Sequence, residues 1–513
     1  MSTANTTPLF PFDNQFARDM QGMFAPWEPA KVPAPRWLRF NHALAESMGL
    51  EADRLGSDEG LQVLAGNVVP EGATPLAQAY AGHQFGGFSP QLGDGRALLL
   101  GEVVTPEGKR LDIAFKGSGR TPFSRGGDGK AAVGPVLREY LISEAMYALG
   151  IPTTRTLAAV ATGETIARDR PLPGAILTRV ASSHVRVGTF QFFAARGDID
   201  SLRKLVNFVV NRHYPALADA EGPERALGLL RAVQTRQAKL IAQWMGVAFI
   251  HGVMNTDNMT LSGETIDYGP CAFMEAYDPQ TVFSSIDHGG RYAYGNQPGI
   301  AQWNLTRLAE TLLPLIDAED SDKAVALATE VIEAFPAEFD GHWLNVHRRK
   351  LGIPATQEDG PPGQDTEAEQ DRNLVNDYLQ LLHRHGVDFT LGFRRLSRVL
   401  RGQSSEWSSQ FAAQAEPDLQ AWSQRWLSRL PSDGTVARSE HADAMDAVNP
   451  LYIPRNHLVE NALDAASDPG DMALFERLLA IVTRPFDERE ADALAALAGT
   501  PEQTQGFRTF CGT

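Results

Sequence analysis

Residues 251–270 read HGVMNTDNMTLSGETIDYGP, and this stretch decides how the rest of the chain is understood. Asn258 and Asp267 carry side-chain oxygens of the type that holds a divalent cation. The residues between them, "MTLSG" and "ETI", suit a short hairpin that would bring both side chains to one place. Asp257 adds a carboxylate immediately before Asn258. Asp and Asn also close ordinary turns, and either residue alone would be read that way. Their order, after a long helical pattern and before Tyr268-Gly269, favours a ligand pair.

Upstream, "ERALGLLRAVQTRQAKLIAQWMGVAFIHG" (224–252) carries apolar residues at three-and-four spacing and is expected to run as a helix into His251. "SLRKLVNFVVNRHYPAL" (201–217) repeats that pattern, as do "DKAVALATEVIEAFPAEF" (322–339) and "NLVNDYLQLLHRHG" (373–386) downstream. The acidic, Pro- and Gly-bearing "PATQEDGPPGQDTEAEQDR" (354–372) reads as a solvated loop. Before residue 186 the character is different. "ALLLGEVVTPEGKRLDIAFKGSG" (97–119) reads as two strands about a Pro-Glu-Gly turn, the second ending in Lys116. "GPVLREYLISEAMYALGIP" (134–152) is a helix, and "TLAAVATGETIARDRPLPGAILTRV" (156–180) returns to strands. The first 75 residues mix short helical patterns and turns, with "PAPRWLRFNHALAESMGL" (33–50) read as an aromatic-rich helix start.

Of the 513 residues, 43% are hydrophobic, enough for a large interior shared by two or three lobes. Lys and Arg total 46 against 63 Asp and Glu, and a net charge of −17 repels phosphate backbones and anionic lipid. No nucleic-acid or membrane partner is expected. The N-terminal residues show neither a secretory nor a mitochondrial presequence pattern, which points to the cytoplasm. Only two cysteines, Cys271 and Cys511, are present, too few for a disulfide framework or a Cys-rich zinc site.

Protein kinases hold their metal with the Asn that closes H-R-D-x-x-x-x-N and the Asp of D-F-G. Laid over that pattern, His251 takes the His place, Asn258 the Asn place and Asp267-Tyr268-Gly269 the D-F-G place. Val253 then stands where a kinase keeps its catalytic carboxylate, and Asp257 is the nearest replacement. Lys116 ends "DIAFK", similar in pattern to the V-A-I-K strand whose Lys holds phosphates. It needs a carboxylate from the following helix, and spacing leaves both Glu139 and Glu144 open. "QLGDGRA" (91–97) and "KGSGRTPFSRGGDGKA" (116–131) offer backbone N–H groups and charge to phosphate, although each would also serve as a turn. Arg179 and Arg186 lie where they could reach the same ligand. His83 and His288 fall in no zinc spacing and read as core or turn residues. The chain has neither a G-x-S-x-G elbow nor a Rossmann G-x-G-x-x-G in its strand–helix context.

The blocks "AGHQFGGFSPQLGDGRA", "DIAFKGSGRTPFSRGGDGKA", "REYLISEAM", "HGVMNTDNM", "IDYGPCAFMEAYDP" and "NPLYIPRNHLVENAL" together resemble the YdiU/selenoprotein O family. The resemblance covers nearly the whole chain. It implies an α+β, two-lobed protein-kinase-like fold: an N-terminal extension on the core (1–75), an N-lobe (76–186), a helical C-lobe with the active-site loop (187–430) and a C-terminal extension (431–513). It implies transfer of AMP from ATP, or of UMP from UTP, to Ser, Thr or Tyr hydroxyls of proteins, the enzyme itself among them, with the nucleotide inverted relative to kinases. Mg²⁺ or Mn²⁺ and a monomeric state are implied too.

Carried over to this chain, nucleotide contacts fall at Gly93, Gly95, Arg96, Lys116, Asp128, Gly129, Arg179, Arg186 and Asp267. Glu139 becomes the partner of Lys116, Asp257 the proton acceptor, and Asn258 and Asp267 the metal ligands. The tail "FRTFCGT" carries Cys511 where some relatives have selenocysteine near the C-terminus, which suggests a redox pair with Cys271. A conventional kinase and a catalytically silent nucleotide-binding scaffold are the competing classes.

Overall fold

The computed structural model describes residues 8–354, 366–430, 435–468, 470–504 and 506–510, and they form an α+β structure. A mixed-length antiparallel sheet lies in the first half of the chain. Its strands are β1 (Phe24–Pro26), β2 (Arg36–Phe40), β3 (Leu76–Gln78), β6 (Ala97–Val104), β7 (Arg110–Lys116), β8 (Ala131–Ala132), β9 (Arg155–Ala167) and β10 (Pro171–Ala181). The order across the sheet is β1-β3-β6-β7-β10-β9-β2, with β8 paired to β10. Between β3 and β6 the chain makes a separate hairpin, β4 (Gly82–Gln84) and β5 (Gly87–Ser89).

β6 and β7 form as the apolar alternation predicts, in register from Ala97↔Lys116 to Val104↔Arg110. Their turn is closed by Thr105 and Lys109, with Gly108 at φ 79°. The expected helix start at 33–50 is instead β2 followed by a helix, His42–Ser47. In "RWLRF", Leu38 and Phe40 are buried with the exposed Arg39 between them, the alternation of a strand. Only after Asn41, whose side chain accepts from the Leu44 N–H at 3.1 Å, does the helix begin.

The two faces of the sheet are covered by different parts of the chain. Leu98, Ile113, Phe115 and Val160 pack under Leu44 and Leu64 from the N-terminal region. Ala159, Leu177 and their neighbours pack under the Val133–Ala148 helix, which is in turn covered by Leu463 and Phe475 of the helices Asn456–Ser467 and Ala473–Val482. Residues 187 onward form a helical body around Ile199–His213, Gly222–Gly246 and Gln297–Ile316. No helix among the described residues is long and apolar enough to cross a membrane.

Two further expectations are revised around the 251–270 stretch. The long helix stops at Gly246, and Ala248 at φ 60° turns the chain into a short strand, β11 (Phe249–Ile250), paired with β12 (Ala272–Phe273). Residues 259–266 make no hairpin ladder of their own. Thr260 bridges to Arg186 and Thr265 to Thr153, while the Thr260 hydroxyl donates to the Glu264 carbonyl at 2.7 Å and accepts its N–H at 3.0 Å. The side chain closes the turn, so the flanking backbone is free to pair elsewhere. The acidic stretch 354–372 is also not all loop: residues 355–365 lie outside the described residues, and a helix starts at Thr366 with Glu367 and Glu369 in its first turn, where the helix dipole favours acids.

Candidate active site

Antiparallel register places Leu177 opposite Lys116 and Arg179 opposite Ala114, so Lys116 and Arg179 project from one face of the sheet. The Val133–Ala148 helix crosses that face and presents Glu139. Lys116 donates to Glu139 Oε2 at 2.5 Å, and Arg179 donates to Glu139 Oε1 at 3.2 Å. Glu144, left open by spacing, points elsewhere because five residues turn a helix by about 140° beyond a full turn. It takes a bidentate pair from Arg155 at 2.7 Å.

Asp267 closes the other side of this cluster. Its backbone has φ 62°, and its carboxylate accepts from Lys116 and Arg179 at 2.7 Å each and from Arg186 at 3.1 Å. Burial alone would raise its pKa, but Lys116, Arg179 and Arg186 outweigh burial and hold it well below the usual carboxylate range. Arg186 is itself buried, donates to the Asp257 carbonyl at 2.9 Å and lies over the Tyr80 ring at 4.6 Å.

Asp257 sits in the single turn Thr256–Asn258 and is only 8% exposed. Gln84 Nε2 approaches its Oδ2 at 3.4 Å, while its Oδ1 has no hydrogen-bond partner. Burial pushes this carboxyl up to about 6, against the opposing charge of Arg186. A side chain at Gly82 would come within 2.5 Å of Oδ1, so the β4 strand packs against the acid only because glycine is there. Asn258 donates Nδ2 to the Val253 carbonyl at 2.8 Å, which leaves its Oδ1 as an open acceptor. His251 is structural: it stacks on Trp244 at 5.4 Å and pairs with the Ile266 carbonyl at 2.9 Å.

These groups line one cleft of about 200 Å³, formed by Gly95, Arg96, Lys116, Arg179, Arg186, Asp257, Asn258 and Asp267 with Tyr80, Gln84 and Asn255. Gly93, Asp128 and Gly129 are not on its wall. Gly93 (φ 64°) lies against the Phe123 ring and Gly129 (φ 68°) against the Gly119 carbonyl, where a Cβ would approach to 2.3 and 2.0 Å. Gly93 thus joins the two glycine-rich loops, aided by Thr121 donating to the Asp94 carbonyl at 2.5 Å, and Gly129 closes the second loop on itself. Asp128 is paired with Arg168 at 2.8 and 3.0 Å. In a larger hollow of about 680 Å³ near Asn207 and Pro314, Arg203 is paired with Asp200 and Lys323 with Asp317.

Tyr80, Gln84 and Asn255 were not singled out from sequence. Gln84 reaches Asp257 across 173 residues, and no local spacing announces such a contact. Asn258 Oδ1 and the Asp267 carboxylate are hard oxygen donors on one cleft, a pair that fits Mg²⁺ or Mn²⁺. Among the described residues no group of three His, Cys, Asp or Glu side chains could hold a metal. Cys271 is buried, and burial pushes its thiol up to about 12. Cys511 lies outside the described residues, so the proposed pair has no geometry here; Thr509 donates to the Pro270 carbonyl at 2.6 Å.

Comparison with known proteins finds relatives along nearly the whole chain. A family profile described as "Protein adenylyltransferase SelO" matches residues 10–483. A "Protein nucleotidyltransferase YdiU" of Rhizobium johnstonii is 57% identical over 507 residues, covering 98% of this chain and 97% of that protein. Proteins of the same name from Cereibacter sphaeroides and Methylorubrum populi are each 55% identical, covering 98% and 99% of this chain and 100% of their own length.

Proposed function

The chain belongs to the SelO family of protein adenylyltransferases and is a protein nucleotidyltransferase, and from that premise we propose how its residues divide the work. The reaction is transfer of AMP from ATP to a Ser, Thr or Tyr hydroxyl of a protein. Asp257 accepts the hydroxyl proton as the oxygen attacks the α-phosphorus in line. The new oxygen–phosphorus bond forms as the bond from the α-phosphorus to the bridging oxygen breaks, and pyrophosphate leaves with that electron pair. Lys116, Arg96, Arg179 and Arg186 hold the phosphates and balance their charge, with Glu139 fixing Lys116 and Arg179. The Gly95 backbone allows close approach. Asn258 and Asp267 would hold Mg²⁺ or Mn²⁺, which supplies charge neutralisation on the triphosphate. The sheet of residues 76–186 and the helical body from 187 onward take the places of the two lobes of a protein kinase.

One observation carries this assignment of roles. The position that aligns with a kinase base is the apolar Val253, while Asp257 stands in the cleft wall with an unpaired oxygen and a raised pKa. Oδ2, which faces Gln84 at 3.4 Å, is the atom that would take the proton. ATP labelled separately at the α and γ phosphates tests the reading: label is expected on acceptor protein from the α position only. Transfer from the γ position alone would establish a kinase, and no transfer from either would establish a silent scaffold.

A further inference from the structure

The hairpin β4–β5 runs from the proposed base to an arginine that the reaction described above does not use. Gln84, at the end of β4, faces Asp257. Two residues on, about 7 Å of extended chain at most, Gly86 lies against the Arg291 guanidinium, which is 3.9 Å from where its Cβ would stand. Arg291 is stacked 4.7 Å from the Trp303 ring. It has no carboxylate partner among the described residues, and its Nε is buried without a hydrogen bond. Its near neighbour Asp287 is directed at the backbone and not at the guanidinium: its two oxygens accept the N–H groups of Arg291 at 2.9 Å and Tyr292 at 2.7 Å. In a chain of net charge −17, an arginine held beside aromatic rings and left without an acid is an unfilled anion site.

The hairpin tip is built to expose aromatic surface there. Phe85 has φ 51° and Gly86 φ 86°, the left-handed pair of a tight hairpin turn. A bulky residue at positive φ is strained, and such strain gathers where function requires it. Here the Phe85 N–H donates at 3.2 Å to both Asn255 Oδ1 and the Tyr292 hydroxyl, so the catalytic loop holds the strained residue in place. Phe85 and Phe88 remain 38% and 44% exposed.

We propose that the accepting protein docks across the β4–β5 hairpin, its apolar residues against Phe85 and Phe88, with Arg291 pairing a carboxylate close in sequence to the hydroxyl that is modified. This rests on Asp257 being the base, since that places the hydroxyl beside Gln84. The carboxylate belongs to the acceptor and not to the nucleotide: Arg291 is absent from the wall of the phosphate cleft, where four other cations already stand.

Fluorescein-labelled peptides with one central Ser and two Phe, flanked by either Glu or Lys, read the docking directly by anisotropy with a non-hydrolysable ATP analogue and Mn²⁺ present. Wild type is expected to bind the Glu peptide about five- to tenfold more tightly than the Lys peptide. Arg291→Ala should erase that preference, Arg291→Glu reverse it and Arg291→Lys keep most of it, all with unchanged affinity for the analogue. Equal binding of the two peptides by wild type, or a preference that survives in Arg291→Ala, overturns the proposal. So does a loss of analogue affinity in Arg291→Ala, which would make Arg291 a nucleotide ligand. α-Label transfer to the same peptides is scored separately: binding preference without transfer would sustain the docking surface while counting against the transferase roles.

Discussion

Asp257, the proposed base, is buried at a cost to stability, and the two expected effects of removing it have opposite signs. Folded Asp257 keeps its proton up to about pH 6, whereas its ordinary value is 3.8. Between those values the folded state binds more protons than the unfolded chain, so stability falls as pH rises through the window and the penalty is complete above it. Asp257→Asn should therefore cut transfer by about 10²–10⁴-fold. The same change should stabilise the metal-free protein at pH 8 by up to about 3 kcal/mol. The gain should vanish below about pH 4, and urea denaturation in a chelator at both pH values checks it. A destabilised variant at pH 8 would mean that Asp257 is held by a favourable contact, not by burial. Asp257 was legible in sequence because it neighbours Asn258, but its cause of activation was not: the glycine that lets β4 approach, Gly82, is 175 residues away. Glu139 shows the same limit in milder form, since helical spacing admits Glu144 equally until the strand that faces each is known.

The elements of the site are joined by a second ionic cluster, entirely buried, behind the first. Arg212, at the end of the Ile199–His213 helix, donates to Glu102 of β6 and to Asp112 of β7. Asp112 also pairs with His184 Nδ1 at 2.9 Å, and His184 Nε2 accepts from Arg179 Nε at 3.2 Å. One chain of partners thus runs from the helical body through the sheet to Arg179, which is proposed above to hold phosphate. Glu102 is pushed up to about 7 by burial and by the nearby Asp112 charge, with Arg212 opposing, and Arg212 is the cation that the two acids share. Arg212→Met leaves two buried carboxylates with one partner fewer, and a loss of about 3–5 kcal/mol is expected by urea denaturation. Neutralising both acids in the same chain, with Glu102→Gln and Asp112→Asn, should recover a large part of it. If the triple variant is no more stable than Arg212→Met, burial of uncompensated charge is not the cause. At this scale the strand pair, the helix after it and the long helices were all readable from period and turn residues. β2 was not, because aromatic residues sit comfortably in either element and only the partner strand β9 decides. The turn at 259–266 was misread as a hairpin because a Thr side chain there does the closing that a ladder would do.

For the molecule as a whole, both chain ends are used to complete the site's scaffold. β1 and β2 occupy the two edges of the main sheet, and the helices Asn456–Ser467 and Ala473–Val482 cover the outer side of the helix that carries Glu139. Period alone does not reveal such closures, since they join segments hundreds of residues apart. In the structure Val133–Ala148 is buried at eleven of its sixteen positions, as a helix is when packed on more than one side. If the C-terminal helices position Glu139 and do not merely cover it, loosening them should be felt at the nucleotide. Phe475 is fully buried and meets Tyr140 of that helix edge-on, 5.9 Å between ring centroids. Phe475→Ala should cost about 3–5 kcal/mol. Under conditions where the protein stays folded, it should also raise the KM for ATP more than it lowers kcat, because Lys116 and Arg179 lose a fixed partner in Glu139 while Asp257 is untouched. Leu382→Ala, equally buried but in the helical body, provides the comparison at a cost of about 2–5 kcal/mol. A KM rise in Phe475→Ala alone ties the C-terminal helices to nucleotide binding. The same rise in both variants, or in neither, assigns them to stability only.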